Sequence, residues 1–405
     1  MPSTKKNIFD ASESALGYLY QIRIALLLSL ERLREDDAFL VSIEILDDVA
    51  FEKAGQPAEI LQAKHHRTRQ ASLSDSSSDI WKSLRIWLEG RRTGSILEGG
   101  RINLLTTSTA SAGSAASYLR RNDNRDIAAA AARLKDTALT SKNKQNAAVY
   151  KTFLGLTDQE RIDLLRDVTV LDAAPHVQSV EGAIEAQLFW AVDRGQHGTF
   201  RRYLEGWWFQ RSVSHIADQK KADRILAAEI EAQIADLREQ FKQDALPIAA
   251  DLLNVPPDRS FFAEKANATF VRQLKLAEAN EGRIFAAIRD YYRAFEQRSR
   301  WLRDDLLVVG DLRTYERRLI EEWELVFEAV KNELGADAAE AAKQQAARKV
   351  LEWAERVTIP IRPRVTEPFV TRGSLHMLAD DLRLGWHSNF RERLARILHP
   401  ALASA

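Results

Sequence analysis

Between residues 11 and 34 the apolar positions Leu16, Leu19, Tyr20, Ile24, Leu27, Leu28 and Leu30 recur at three- and four-residue intervals. That spacing lines one face of a helix, and Ser12 or Ser14 supplies its N-cap. Gly17 and Gln21 are four apart and share a face. A glycine costs a helix interior about 1 kcal/mol relative to alanine, which points to close backbone approach at Gly17. Gln21 then either faces the strands that follow or sits at the polar edge of the packed face. The period next changes. FLVSIEILDDVAFE is rich in Val, Ile, Leu and Phe, AGQP interrupts it with Gly55 and Pro57, and AEILQAKHH resumes it. Residues 39–66 therefore read as a β-hairpin. Ile80, Trp81, Leu84, Trp87 and Leu88 mark a helix over 79–90, RINLLTTS a short strand, and LTDQERIDLLRDVTVLD a helix running into another strand. Alternating helix and strand predicts an α/β core.

EGAIEAQLFWAVDRG and RRYLEGWWFQRSV read as helices, with Trp207 and Trp208 as packing residues. From there the pattern is helical throughout. Long helices are expected over 263–307, broken near Asn280–Gly282, then over 311–334 and 336–357. Tyr291, Tyr292, Phe295, Trp301, Tyr315, Trp323 and Phe327 fall at helical intervals and read as core, and His376, Trp386 and His387 as packing residues of the tail. A chain of 405 residues exceeds one typical core, so two domains are expected, 1–220 and 221–405.

Lys plus Arg equals Asp plus Glu, 58 of each, so no global charge announces nucleic acid. Local charge does. Residues 118–151 carry eight Lys or Arg against three Asp. Arg120, Arg121, Arg125, Lys142 and Lys144 make this the best stretch for tracking phosphates. His65, His66, Arg67 and Arg69, at and just past the end of the second strand, read either as further phosphate contacts or as a solvated loop. The chain holds no cysteine, which excludes disulfides, thiolate catalysis and Cys-based zinc sites. The polar stretch MPSTKKNIFDASES carries no cleavage pattern and IALLLSL is too short to span a bilayer. A cytoplasmic location without a membrane is expected.

The chemistry lies in the hairpin. Side chains alternate along a strand, so Glu44, Leu46 and Asp48 share one side of the first strand, and Gln62 and Lys64 one side of the second. If those sides coincide, two carboxylates, an amide oxygen and a lysine converge. Hard cations take such oxygens, keep several waters and lean on one or two carboxylates. Asp48, the Gln62 side chain and the Ala63 carbonyl suit Mg²⁺, and Lys64 is placed to activate water. The same residues also suit a strand end running into solvent with a surface lysine.

The order GYLYQIRIALLLSL, SIEILDDVAF, ILQAKHH, DIWKSLRIWLEG, RINLLTTS resembles the PD-(D/E)xK nucleases in their QxK form, as in Mrr-like restriction enzymes. It is similar in particular to the double-strand DNA endonuclease domain that serves as effector in CBASS and Lamassu (ABC-three-component) anti-phage systems. The resemblance implies Asp48 as metal ligand, Gln62 in place of the usual acid and Lys64 as catalytic lysine, with Glu44 and the helical Gln21 at further motif positions. The family's Pro-Asp pair is absent, since Asp47 precedes Asp48. YYRAFEQRSRWLRDDLL, YERRLIEEWE and RGSLHMLADDLRLGWH resemble the C-terminal domains of ABC-three-component effectors. Together they imply an α/β N-terminal PD-(D/E)xK restriction-endonuclease-like domain followed by an all-α assembly domain. They also imply Mg²⁺ or Mn²⁺ as cofactor and double-stranded DNA as substrate. The implied partners are an SMC-like ABC ATPase, a small middle subunit and further copies of the chain as a dimer or tetramer. A non-catalytic DNA-binding or adaptor subunit and an RNA-directed nuclease are the alternatives.

Overall fold

The computed structural model describes residues 12–45, 48–53, 56–65, 72–218, 222–335 and 337–398. They form two compact units, Met1–Leu237 and Arg238–Ala405.

In the first unit a long helix, α1 (Ser12–Arg32), precedes three strands, β1 (Leu40–Ile43), β2 (Val49–Lys53) and β3 (Gln56–Lys64). After β4 (Ser72–Leu73) come helix α2 (Ser78–Thr93) and strands β5 (Arg101–Thr106) and β6 (Thr109–Ala110). Four helices follow: α3 (Ala115–Tyr118), α4 (Ile127–Thr140), α5 (Ala147–Leu154) and α6 (Asp158–Asp167). Strand β7 (Val168–Leu171), helices α7 (Val180–Gln187) and α8 (His197–Ala217), β8 (Ile225–Leu226) and α9 (Ala227–Gln240) complete the series. Six strands form one mixed sheet in the order β7-β5-β3-β2-β1-β8, and β4 with β6 forms a small separate one. β7, β5 and β3 run parallel, while β2, β1 and β8 are antiparallel to their neighbours. The helix α2 makes the crossover that two adjacent parallel strands require.

Two expectations are corrected here. The first strand read across 39–52 is two strands, which fold back between the paired residues Ile43 and Val49. Length explains the misreading, because four- and five-residue strands joined tightly present one unbroken apolar run. The divide between the units falls after Leu237 rather than at 220, because Ile225 and Leu226 add an edge strand by pairing with Val41 and Leu40.

Both faces of the sheet are covered. Ala50, Ile60, Ile102, Leu104, Val168 and Val170 point into a core shared with Trp81 and Trp87 of α2, Leu134 of α4 and Phe153 of α5. The alternate residues face α1, where the Arg32 guanidinium lies 4.3 Å from the ring centre of Phe51. α1 itself is buried on most sides, with Tyr20, Ile24, Ala25, Leu26 and Leu27 inside and α7 and α8 packed against it. Trp208 anchors α8 by donating its indole N–H to the Ile22 carbonyl at 2.7 Å. Gly17 has no close neighbour: a Cβ there meets nothing within 4 Å.

The second unit is helical, with α10 (Ala250–Asn254), α11 (Arg259–Lys265), α12 (Thr269–Leu276), α13 (Glu281–Arg303), α14 (Val309–Leu334), α15 (Glu340–Arg356), α16 (Pro368–Asp380) and α17 (Phe390–Leu398). The expected break near 280 is the start of α13, where Asn280 caps by accepting from the Arg283 amide at 3.0 Å. Trp301, Tyr315, Trp323, Phe327, His376, Trp386 and His387 are buried, whereas Phe295 is exposed. α13 and α16 touch at Gly373, where a Cβ would stand 2.0 Å from the Asp290 carbonyl oxygen.

Candidate active site

The turn between β1 and β2 places two carboxylates together. Glu44 leaves β1 with φ of +58°, a conformation that lets its amide donate to the Asp48 carbonyl at 3.2 Å. Glu44 and Asp48 thus meet across a hairpin turn and not along one strand. The sequence expectation set the two carboxylates on one side of a single strand, whereas a tight turn brings them together.

β3 brings the other groups. Gln62 and Lys64 continue the row of Ile60, and Gln62 is only 2% exposed. Oδ2 of Asp48 accepts the Ala63 amide at 2.7 Å and lies 3.4 Å from the Lys64 ammonium. That contact holds the β3 end against the turn. From α1, the Gln21 side chain hydrogen-bonds the Glu44 carboxylate. Its Oε1 is buried and has no hydrogen-bond partner among the described residues. Glu44 is held above the ordinary carboxylate range, first by burial and then by the charge of Asp48. The Gln21 bond and the Lys64 charge act against that rise. Gln21, Glu44, Asp48, Gln62 and Lys64 therefore gather at one end of the sheet.

This donor set is made of oxygens: two carboxylates and two side-chain amides. It suits a hard divalent cation that keeps several waters. Among the described residues no group of three or more His, Asp or Glu side chains is arranged to hold a metal ion, so amide oxygens and solvent or phosphate would have to fill such a shell.

The carboxyl ends of the parallel strands carry a second group, in which His65 is joined by His176, a residue that sequence reasoning missed. The His65 ring lies between Tyr20, tilted against it with ring centres 4.9 Å apart, and His176, edge-on at 5.9 Å, and receives the Val177 amide at 3.5 Å. Thr107 donates its amide to the Lys64 carbonyl at 3.2 Å. No local motif announces His176, because β7 brings it beside His65 only through sheet topology.

The proposed phosphate contacts separate. Arg120 is bound to Asp172, with Nε to Oδ1 at 2.8 Å, and also donates to the Ala110 carbonyl. Arg125 donates to the carbonyls of Leu119, Arg166 and Val168, at the opposite end of β7 from Asp172. Both guanidiniums join backbone segments of the fold, so charge counting overstated the free positive surface. Arg121, Lys142 and Lys144 are exposed. Lys142 and Lys144 flank the turn whose Asn146 donates to the Ser76 carbonyl at 3.4 Å, beside the start of α2. His66, Arg67 and Arg69, like Asp47, lie outside the described residues.

No curated protein matches the chain. Residues 270–394 match the family model of C-terminal domain 7 of the ABC-three component (ABC-3C) systems, a stretch that runs from the second residue of α12 into α17. The second unit is thus similar to the C-terminal domain of an ABC-three component protein, which supports membership of the chain in such a system.

Proposed function

We propose that this chain is the nuclease effector of an ABC-three-component defence system, a metal-dependent endonuclease that hydrolyses double-stranded DNA. The observation that carries the reading is the gathering of Glu44, Asp48, Gln62 and Lys64 at one sheet end, in a chain whose second unit matches an ABC-three component domain. An antiparallel hairpin followed by a parallel crossover, with the lysine two residues after the glutamine, is in keeping with the QxK form of the PD-(D/E)xK fold.

Asp48, Gln62 and Glu44 would hold Mg²⁺ or Mn²⁺. Bound there, the cation would lower the pKa of a water and neutralise charge on the phosphate. Lys64, 3.4 Å from Asp48 Oδ2, positions the attacking water and offsets the charge that grows on the phosphate oxygens. Gln21 orients the Glu44 carboxylate through its hydrogen bond. The exposed Arg121, Lys142 and Lys144 supply sequence-independent attraction for the DNA backbone.

One such site cuts one strand, so double-strand cleavage calls for two first units acting together. In this reading the second unit joins the chain to an SMC-like ATPase and a small middle subunit, and pairing of nuclease units is the on-switch. The test is cleavage of a supercoiled plasmid by wild type and Lys64→Ala with Mg²⁺ or Mn²⁺. RNA and single-stranded DNA in parallel separate an RNA-directed enzyme. A second reading, an adaptor that binds DNA without cutting, draws on Asp48, whose Oδ2 already serves the Ala63 amide. It predicts wild type that binds DNA and leaves it intact with every metal and partner subunit.

A further inference from the structure

We propose that His215, on α8, is a positioning residue for the turn that presents Glu44 and Asp48. The proposal deepens the reading above and rests on it. β8 pairs with β1 at only two positions, Leu40 with Leu226 and Val41 with Ile225. The ladder stops there, yet β1 runs on to Ile43. Among the described residues no strand meets the Ile43 amide on that side. His215 takes the place of the strand: its Nε2 accepts the Ile43 amide at 2.9 Å, and the ring is 0% exposed.

The next residue is Glu44, in its left-handed conformation, and its amide closes the turn onto Asp48. The direction in which Glu44 leaves β1 sets how far its carboxylate stands from that of Asp48. Fixing the Ile43 amide therefore fixes that spacing. An imidazole nitrogen can accept only while unprotonated, and burial holds His215 below its ordinary pKa. The groups that face the ring are Asp223, with Oδ2 4.0 Å from Nδ1, and the guanidiniums of Arg211 and Arg224. Asp223 is itself gripped by Arg211 at 2.6 and 2.9 Å, and Arg211 also holds Glu229 at 2.7 Å. The corner between α8 and β8 thus sets the ring, and the ring sets the turn. Apolar packing alone would leave no reason for a nitrogen acceptor at this point, since a buried amide needs a partner.

Two variants separate acceptor from bulk. His215→Gln reaches the same point with an amide oxygen, whereas His215→Leu fills the space and accepts nothing. Both are studied as the full chain, free of metal, by hydrogen exchange over residues 40–51, and by Mn²⁺ binding followed through the paramagnetic resonance signal of the free ion. We expect His215→Leu to exchange the Ile43 and Glu44 amides about tenfold faster and to weaken Mn²⁺ binding about tenfold, the scale of a lost supporting bond behind a metal ligand. His215→Gln should stay within about threefold of wild type in both. Leu and Gln variants that match wild type would overturn the proposal. So would equal loss in both variants with faster exchange across the whole sheet, which marks a packing role. If wild type takes up no Mn²⁺ the metal reading fails, and the exchange comparison still decides the role of His215.

Discussion

At the scale of single residues the account rests on charge. In the proposed nuclease, Lys64 is the group whose loss would remove chemistry without removing structure, because its ammonium contacts Asp48 and its side chain is partly exposed. A positioned catalytic group contributes roughly 100-fold or more. Lys64→Ala is therefore expected to lower the cleavage rate by at least about 100-fold, with DNA affinity in a gel-shift assay changed only a few-fold. A parallel fall in DNA affinity would assign the lysine to binding instead.

Glu44 gives a pH prediction. Its pKa is raised above the ordinary 4.5, so the fold holds its proton more tightly than the unfolded chain does. Its contribution to stability is full below pH 4.5 and is lost as pH rises through the higher folded value. The side chain is exposed over much of its surface, so the effect is small. In metal-free protein Glu44→Gln should unfold at or slightly above the wild-type temperature at pH 7. The gap should close near pH 4, while Mn²⁺ binding weakens at pH 7. Thermal denaturation at the two pH values checks it, and a lower melting temperature for the variant at pH 7 contradicts it.

At the scale of elements, two glycines in helices predict opposite outcomes. Gly17 in α1 has open space where a Cβ would stand, so Gly17→Ala should stabilise the first unit by about 1 kcal/mol through helix propensity. Gly373 is where α16 approaches the backbone of α13, and a Cβ would fall 2.0 Å from the Asp290 oxygen. Gly373→Ala should destabilise the second unit by about 1–3 kcal/mol, the usual range for forced overpacking. Denaturant titration of each variant reads both. The close approach expected at Gly17 is found at Gly373 instead, which helical spacing alone cannot distinguish. Sequence pattern did place α2, β5, β7 and the break before α13, because apolar period and capping residues are local signals. It missed the turn at Glu44, since Leu, Val and Ile on either side keep the run apolar. It missed the engagement of Arg120 and Arg125 too, because their partners lie far along the chain. His176 and His215 had no signal at all, as each acts only through sheet topology.

At the scale of the whole molecule the chain is two units, each with its own core. The break at Leu237 has a practical consequence. A fragment ending at 237 keeps Ile225 and Leu226 beside β1, whereas one ending at 220 strips that edge and the Arg211 ion pairs with Asp223 and Glu229. The longer fragment should be monodisperse and unfold cooperatively; the shorter should aggregate or melt several degrees lower, as an uncovered strand edge invites pairing. Light scattering and circular dichroism decide it. If the second unit restrains the first, the fragment ending at 237 also cuts plasmid DNA without partner subunits. If it never pairs and never cuts, simple inhibition by the second unit is wrong.

The central claim is that the chemistry resides at the Glu44–Asp48 turn and Lys64. Its most direct test is plasmid cleavage by the full chain with its partner subunits in Mg²⁺ or Mn²⁺, wild type against Lys64→Ala at matched concentration. The account predicts metal-dependent linearisation or degradation by wild type and none by the variant. Cleavage that survives the substitution would place the active site elsewhere, and an intact plasmid under all these conditions would favour the adaptor.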